Sequence, residues 1–417
     1  MLEWFRASKG TFHASLTHDF DKDVASTGLC VFATSDIPPN DTLVSCPFEL
    51  AITPELATRA IREVTGTDDD LHTWNDRMRI SAYIALHWIM KDEPKALAHR
   101  EYINSLPSTI STPLSYCPEE LELLTGTNLA GAVDDRRRDW QKECEVVRRV
   151  LRVQELTWEQ YLTAATHLSS RSFPSSLHQL PQVGGGRPEI REDSHPILLP
   201  GIDMFNHARL HPITWLSSSN TPLSPPAISL ITVQATSAGS QVFNNYGPKS
   251  NEEFLLGYGF VIDPNPDDTV ILRLGSNIPS ILESRMRAKC LNARNRFALR
   301  KDGEVDAELL EVMRVMMAPA EAEGHAEDER TQHEKEIWEI QSEMEVLGTL
   351  GQMMEDKLVK LQYEHRVDSR YVREENRRNC EIYRRGQIEV LNAGMDKLAD
   401  RIERLEGLLD QGLGLSS

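Results

Sequence analysis

The chain has 417 residues, more than one ordinary domain, and 40% of them are hydrophobic, which is enough for a sizeable core and a second module. The net charge of −19 argues against DNA or RNA as the main partner, because phosphate binding depends on clustered Lys and Arg. No apolar run of about 18 residues occurs, and the first residues lack the basic-then-apolar order of a secretory signal. We therefore expect a soluble intracellular protein that does not enter membranes.

The cysteines are scattered, without the paired short spacing that structural zinc requires. We interpret them as reduced thiols and expect no metal site. The six positions are Cys30, Cys46, Cys117, Cys144, Cys290 and Cys380.

Residues 28–53 contain short β-rich runs separated by the turn cluster Asp36–Asp41, which predicts a meander of short strands. From Thr53 the pattern becomes helical, and apolar residues repeat every four positions at Ile80, Ile84 and Trp88. We therefore predict a helical insertion over about residues 54–165.

Two segments rich in Gly, Pro or Ser, 178–195 and 217–227, are typical of surface loops. The segments ILLPGIDMFN, AISLITVQA and SQVFNNYG, which lie between and after them, are β-rich and bounded by turn residues, so they predict a return to strands.

Beyond about residue 266 the pattern is almost wholly helical, and an acidic loop is predicted at 316–330, just before two long apolar stripes. Two apolar stripes with alternating steps of three and four predict two long helices that pack as an antiparallel hairpin or bundle. The first stripe comprises Ile337, Ile340, Met344, Leu347, Gly351, Met354, Leu358 and Leu361, and the second comprises Ile388, Leu391, Met395, Leu398, Ile402 and Leu405.

Two segments carry most of the functional information: LLPGIDMFNH, from Leu198 to His207, and NNYGPKSNEEFLLGYGF, from Asn244 to Phe260. In this order they resemble the signature segments of SET-domain methyltransferases. YINSLP (102–107), SSRSF (169–173) and the helical C-terminal region extend the resemblance to the Rubisco large-subunit methyltransferase-like branch, over nearly the full chain.

The resemblance implies an α+β fold, with a SET-domain β core of short strands, the helical insertion and an all-helical C-terminal domain. It places the SET domain at residues 1–265 and a helical substrate-binding domain at 266–417. The implied cofactor is S-adenosylmethionine. Moving a methyl group from a sulfonium to a neutral amine requires in-line alignment and a dry channel, but neither a metal nor a covalent intermediate.

By this resemblance, Tyr246 is the catalytic residue and directs its hydroxyl at the reacting sulfur and nitrogen. Asn206 and His207 hold the cofactor, and Phe260 stacks on its adenine. Arg171 can pair with the carboxylate of the cofactor. The alternative for Tyr246 is a buried phenol that satisfies a backbone carbonyl; for Phe260 it is plain core packing, and for Arg171 a solvated surface position.

The substrate lysine, by the same resemblance, is received by Asp203 and by the backbone carbonyls of Ser170 and Arg171, and Tyr258 forms a wall of its channel. Core packing is the alternative for Tyr258 as well.

The segment STGLCVFATSDI stands where the family shows Gly-x-Gly-Leu, so Gly28, Leu29 and Cys30 are expected to approach the cofactor. Cys30 replaces the second glycine, a departure that could weaken cofactor binding.

The resulting prediction is methylation of a lysine in a folded, non-histone protein, such as a ribosomal protein or an elongation factor, by a cytoplasmic or nuclear monomer. The helical C-terminal domain and the insertion would form the docking face. One alternative is histidine methylation, which Phe173 and Ile202 disfavour, because histidine-specific members have a small polar residue and a tryptophan at these positions. The other is a catalytically silent protein-binding scaffold.

Overall fold

The structure is a computed structural model, and it describes residues 1–20, 28–179, 194–218, 225–275, 280–289, 291, 295–318, 331–363 and 367–414. The chain divides into two compact units. Unit 1 comprises Met1–Ser115, Asp134–Pro248 and Gly257–Gly259, and unit 2 comprises Tyr116–Val133, Lys249–Leu256 and Phe260–Ser417. The chain therefore passes repeatedly from one unit to the other.

Unit 1 contains short antiparallel sheets. A four-stranded sheet has the order β1-β4-β8-β7, and two further pairs are β2-β3 and β5-β6. The strands are β1 Thr11–Phe12, β2 Leu16–Phe20, β3 Leu29–Ala33, β4 Thr42–Pro47, β5 Ser172–Pro174, β6 Pro196–Leu198, β7 Ile213–Ser218 and β8 Ala227–Thr232. The short strands predicted for residues 28–53 are present as β3 and β4, but they do not form the predicted meander. They belong to different sheets, because β3 pairs with β2 and β4 pairs with β1 and β8.

The helices that interrupt these strands begin at strong local signals. Thr53 caps α2 by accepting a hydrogen bond from the Leu56 amide at 3.1 Å, Pro54 occupies its first position, and Gly66 ends it in the left-handed conformation. The helices are α1 Leu2–Ala7, α2 Pro54–Thr65, α3 Asp76–Ile89, α4 Arg100–Ile103, α5 Pro118–Glu122, α6 Asn128–Leu151, α7 Trp158–Arg171 and α8 Asn251–Tyr258.

The β core of unit 1 is closed by apolar side chains from the strands and from the segment after β6. Val31, Leu43, Leu199, Ile202 and Phe205 are all fully buried there. Burial of such side chains stabilises the fold by roughly 1.5–3 kcal/mol each, so the core fixes the backbone of the motif around Ile202.

Unit 2 includes α5 and most of α8. Its other elements are β9 Thr269–Arg273, α9 Ser280–Ala288, β10 Arg296–Arg300, α10 Ala307–Met317, α11 Gln332–Gln362 and α12 Glu374–Gly414. The two predicted long helices are confirmed as α11 and α12. Arg384 bonds the Leu361 carbonyl and Arg401 bonds Glu343, so the two helices run antiparallel. Leu347, Leu350, Met354, Leu361, Val390, Leu391 and Leu398 are buried in the core that includes their interface.

The C-terminal region is helical, as expected, but it is not all-helical. Strands β9 and β10 pair in antiparallel register from Thr269–Arg300 to Arg273–Arg296. Both sequences, TVILR and RFALR, alternate buried and more exposed positions, a two-residue period that short runs between long helices easily conceal.

The segment SQVFNNYG does not form the continuous strand that its sequence predicts. It forms only isolated bridges, Phe32 with Gln241 and His207 with Asn244, because side chains take over the backbone donors at Asn245 and Tyr246. The loops predicted at 178–195, 217–227 and 316–330 lie largely outside the described residues.

Candidate active site

The two signature segments lie side by side in unit 1. The Asn244 amide donates to the Asn206 carbonyl at 2.7 Å, and the Asn244 carbonyl accepts from the Ala208 amide at 2.9 Å. The Asn244 side-chain oxygen accepts from the Trp215 indole at 3.0 Å and from the Asn245 amide at 2.8 Å. Asn244, which is fully buried, therefore joins residues 206–208 to the segment that precedes Tyr246.

Tyr246 is held by contacts to both segments. Its amide donates to His207 Nδ1 at 2.9 Å, and its hydroxyl donates to the Phe205 carbonyl at 2.8 Å. Its ring stacks between those of His207 and Tyr258, with centroid distances of 5.1 and 5.3 Å. Burial raises the pKa of Tyr246, so the phenol stays protonated at neutral pH.

The phenol therefore satisfies a backbone carbonyl, which is the alternative that the sequence left open for Tyr246. Because the hydroxyl donates its proton to Phe205, its oxygen can act only as an acceptor towards a further group.

Asp203 lies in the single helical turn Ile202–Met204, which Gly201 introduces with a φ of 84° that favours glycine. Its side chain is 1% exposed and forms an ion pair with Arg171, whose Nη1 lies 3.1 Å from Oδ2 and 3.0 Å from the Asp203 carbonyl. Arg171 thus has a protein partner, which the sequence analysis did not anticipate. Its Nε and the Asp203 Oδ1 are buried atoms that lack a hydrogen-bond partner among the described residues.

Ser170 and Arg171 are the last residues of α7. A capping box formed by Thr157 and Gln160 begins this helix, and its carbonyls at the far end lack intrahelical partners apart from that of Leu168, which accepts from the Ser172 amide. These carbonyls carry the negative end of the helix dipole, so this terminus can accept hydrogen bonds from an amine. The Ser170 hydroxyl itself donates back to the Thr166 carbonyl at 2.8 Å.

The segment Gly28–Cys30 adjoins Asn206. The Asn206 amide nitrogen lies 3.3 Å from the Leu29 carbonyl and 3.2 Å from the Cys30 sulfur. Gly28 has a φ of 64° with open space where a side chain would start, and Cys30 is fully buried. The structure therefore accommodates Cys30 at the glycine position and brings its thiol to Asn206.

Phe260 belongs to unit 2, where its ring stacks on Phe254 at a centroid distance of 4.8 Å. Nearly all the other residues singled out from the sequence come together in unit 1. These are Gly28, Leu29, Cys30, Ser170, Arg171, Asp203, Asn206, His207, Tyr246 and Tyr258.

Two residues of the site were missed by the sequence analysis. The Tyr102 hydroxyl donates to Asp203 Oδ2 at 2.8 Å, and its only signal was its place at the start of YINSLP. Burial lowers the pKa of His18, with a smaller contribution in the same direction from the nearby charge of Arg171. No pattern in the sequence of β2 distinguishes His18.

Nothing among the described residues resembles a metal site, since no cluster of three or more His, Cys, Asp or Glu side chains is present there. The five cysteines described form no disulfide bond with one another: Cys30, Cys46, Cys117, Cys144 and Cys380. No helix in the described part of the chain is long and apolar enough to cross a membrane.

Curated proteins match part of the chain. Ribosomal lysine N-methyltransferase set10 of Schizosaccharomyces pombe is 35% identical over 246 residues, 58% of this chain and 41% of that protein. Ribosomal lysine N-methyltransferase 1 of Saccharomyces cerevisiae is 24% identical, over 42% of this chain and 34% of that protein. Actin-histidine N-methyltransferase of Mus musculus is 25% identical, over 60% and 40%. The matches thus span about two fifths or less of these relatives, and no family model matches the chain.

Solved structures match almost the whole length of this chain. The SET domain of LSMT bound to lysine and AdoHcy superposes with a TM-score of 0.75 at 16% identity, covering 97% of this chain and 91% of that one. Rubisco LSMT bound to AdoMet gives a TM-score of 0.73 at 17% identity, covering 97% and 92%. The chain therefore has the SET-domain fold of Rubisco LSMT, including its helical C-terminal region.

Proposed function

We propose that this chain is a protein-lysine N-methyltransferase that uses S-adenosylmethionine and acts on a folded, non-histone protein. The observation that carries the proposal is the buried group of Tyr246, Asp203 and Arg171 beside the Asn206–His207 segment. A buried cluster of a phenol, an ion pair and an asparagine amide lowers the stability of the fold unless every polar group is satisfied, so a protein that served only as a scaffold would gain nothing from it.

The residues fit the cofactor and a lysine amine. Arg171 Nε and Asp203 Oδ1, the two buried atoms that lack a partner among the described residues, offer one donor and one acceptor. In the proposed assignment, Gly28, Leu29, Cys30, Asn206 and His207 bind the cofactor together with Arg171, and Phe260 covers its adenine. The carbonyls of Ser170 and Arg171, with Asp203, receive the amine beside Tyr258.

When bound, S-adenosylmethionine would supply a sulfonium methyl group. The neutral amine would attack the methyl carbon in line, the carbon–sulfur bond would break to release S-adenosylhomocysteine, and the methylated ammonium would then lose a proton. Arg171 and Asp203 together carry no net charge, so they do not stabilise a substrate ammonium, and burial further favours the neutral, nucleophilic amine. The Tyr246 oxygen accepts weak hydrogen bonds from the polarised methyl group, and the rings of His207 and Tyr258 keep it in place.

We infer a ribosomal protein as the substrate class, because the relative with 35% identity is named a ribosomal lysine N-methyltransferase. Residues 266–417 are the proposed substrate-binding domain, which orients the folded body of that protein. The proposed enzyme works as a monomer in the cytoplasm or nucleus, without binding nucleic acid or membrane.

Histidine methylation is the rival activity, since an actin-histidine N-methyltransferase is also similar. Phe173 argues for lysine: it is 7% exposed and packs edge-on against Trp215 at 5.3 Å, so the apolar ring is part of the core. Ile202 is fully buried as well.

The test uses ribosomes from an S. pombe strain that lacks set10, incubated with this protein and tritiated S-adenosylmethionine. Mass spectrometry of the labelled band identifies the modified side chain. Methyl-lysine in a ribosomal protein supports the proposal, and methyl-histidine would favour the rival. A folded protein that gives no label and no calorimetric heat with the cofactor would leave the scaffold interpretation.

A further inference from the structure

Tyr102 and Arg171 contact the same carboxylate from two helices that are far apart in the sequence. The Tyr102 hydroxyl donates to Asp203 Oδ2 at 2.8 Å, and Arg171 Nη1 reaches the same oxygen at 3.1 Å. Tyr102 is 1% exposed. Both donors therefore converge on Oδ2, while the buried Oδ1 has no partner among the described residues.

Unit 1 contains a second group of the same chemistry, remote from the signature segments. The Tyr161 hydroxyl donates to Glu143 Oε2 at 3.1 Å, and Arg77 donates to both Glu143 oxygens, at 2.9 and 2.6 Å. Asn75 also donates to Oε1 at 2.7 Å. In that group both oxygens of the carboxylate are bonded, so it is complete as a structural element.

The contrast between the two groups concerns Asp203 Oδ1. A buried acceptor without a hydrogen-bond partner destabilises a folded protein by about 1–3 kcal/mol, and by more when it is charged. An acceptor that is left unbonded despite this penalty is a natural partner for a hydrogen-bond donor on a ligand. Burial raises the pKa of Tyr102 well above its ordinary value, and therefore its hydroxyl is a donor throughout the working pH range.

We propose that Tyr102 is a positioning residue that fixes the rotamer of Asp203 and so aims Oδ1 at the incoming lysine amine. This rests on the proposed function, in which Asp203 accepts a hydrogen bond from that amine. With Arg171 as the single donor to Oδ2, the carboxylate group could still rotate about that hydrogen bond. The second donor removes that freedom, because two donors from different directions define the plane of the carboxylate.

The experiment compares Tyr102→Phe with Tyr161→Phe in the full chain. Both substitutions delete one buried phenol-to-carboxylate hydrogen bond, but only Tyr102 acts on Asp203. The measurements are calorimetric binding of free L-lysine to protein saturated with S-adenosylhomocysteine, cofactor affinity, and kcat and KM for methylation of ribosomes that lack the mark. Asp203→Asn and the double variant Tyr102→Phe/Asp203→Asn complete a double-mutant cycle.

We expect Tyr102→Phe to lower kcat/KM and lysine affinity by about 10-fold to 100-fold, the usual effect of losing a hydrogen bond to a charged group, and to leave cofactor affinity within about 3-fold. Tyr161→Phe should change neither. In the Asp203→Asn background, Tyr102→Phe should cause no further loss, because its effect passes through the carboxylate.

Wild-type behaviour of Tyr102→Phe would overturn the positioning role and leave the methyltransferase proposal intact. Fully additive losses in the cycle would also overturn it, since they would mean that Tyr102 stabilises the fold independently of Asp203. A wild-type protein that binds neither cofactor nor lysine and transfers no methyl group would overturn both proposals.

Discussion

Acid should destabilise unit 1 through histidines that are buried in their neutral form. Burial lowers the pKa of His87 and of His99 to about 4, and that of His167 to about 3, against an ordinary value near 6.5. All three are at most 3% exposed. Because the unfolded chain binds protons that the folded one excludes, stability is complete above about pH 6.5 and is lost as the pH falls towards 4.

The hydrogen bonds of His99 define the tautomer of its neutral ring. Its Nε2 lies 3.2 Å from the Leu50 carbonyl, which only accepts, so Nε2 carries the proton and Nδ1 accepts from the Tyr83 hydroxyl at 2.5 Å. His87 Nδ1 donates in turn to the Tyr83 carbonyl at 2.8 Å. Both nitrogens of the neutral His99 ring are therefore bonded, whereas Nε2 of His87 is buried without a partner among the described residues. For both rings, burial opposes the charge that a second proton would bring.

The size of this loss of stability follows from the difference in proton binding between the folded and the unfolded chain. Between pH 7 and pH 5, a histidine whose pKa falls from about 6.5 to about 4 on folding contributes roughly 2 kcal/mol of lost stability. Three such groups amount to about 5 kcal/mol, which equals the whole stability of many domains. Asp268 of unit 2, whose pKa burial raises to about 6, acts in the opposite direction and recovers about 1 kcal/mol over the same range.

The assay is urea unfolding followed by circular dichroism at pH 7 and pH 5. His167→Phe keeps a planar ring beside Trp88, whose ring centroid lies 6.4 Å away, and should reduce the loss of stability at pH 5 by about a third. His72→Gln, at an exposed position, is the control and should change nothing. Equal unfolding free energies of the wild type at pH 7 and pH 5 would refute the reasoning.

Three other outcomes follow from the structure. Tyr246→Phe should keep cofactor affinity but lower turnover on the order of 10²-fold or more, because in the proposed mechanism the oxygen acts mainly in the transition state; near wild-type turnover would exclude it from the mechanism. Cys30→Gly should shift the calorimetric cofactor affinity by less than about 10-fold, since the thiol contacts with the Asn206 amide and the Gly28 carbonyl are weak, and a larger drop would make the thiol a principal binding group. Deletion of the residues after Asp263 should leave a poorly stable chain in thermal unfolding, because Glu120 loses Arg373; a cooperative transition at the full-length Tm would contradict this.

The sequence predicted the features that local pattern encodes. The stripes through Leu347 and Leu391 predicted α11 and α12 with their antiparallel pairing, and the signature segments led to the SET-domain fold. Their side-by-side placement depends on Asn244, whose bonds to Asn206 and Trp215 join distant parts of the chain. Such pairings leave no periodic trace, so a resemblance could anticipate the arrangement but the residue pattern could not.

Tyr102 shows the same limit within the site. It was known only as the first residue of YINSLP, and the carboxylate that it bonds is 101 residues away. The interleaving of the two units was equally hidden, because residues 116–133 continue the helical pattern of the insertion and yet belong to unit 2. Pattern distinguishes helix from strand, but it does not state which unit a helix joins.

The bond between Glu120 and Arg373 has a consequence for the nascent chain. These residues are 253 positions apart, and the Glu120 side chain is 1% exposed once folded. Burial alone would raise the pKa of Glu120, but the hydrogen bonds from Arg373 lower it to about 2. At about 5–20 residues per second, roughly 13 to 50 s of synthesis separate the carboxylate from its guanidinium. During that interval Glu120 must stay in water, so unit 2 cannot complete its core on the ribosome until α12 has emerged.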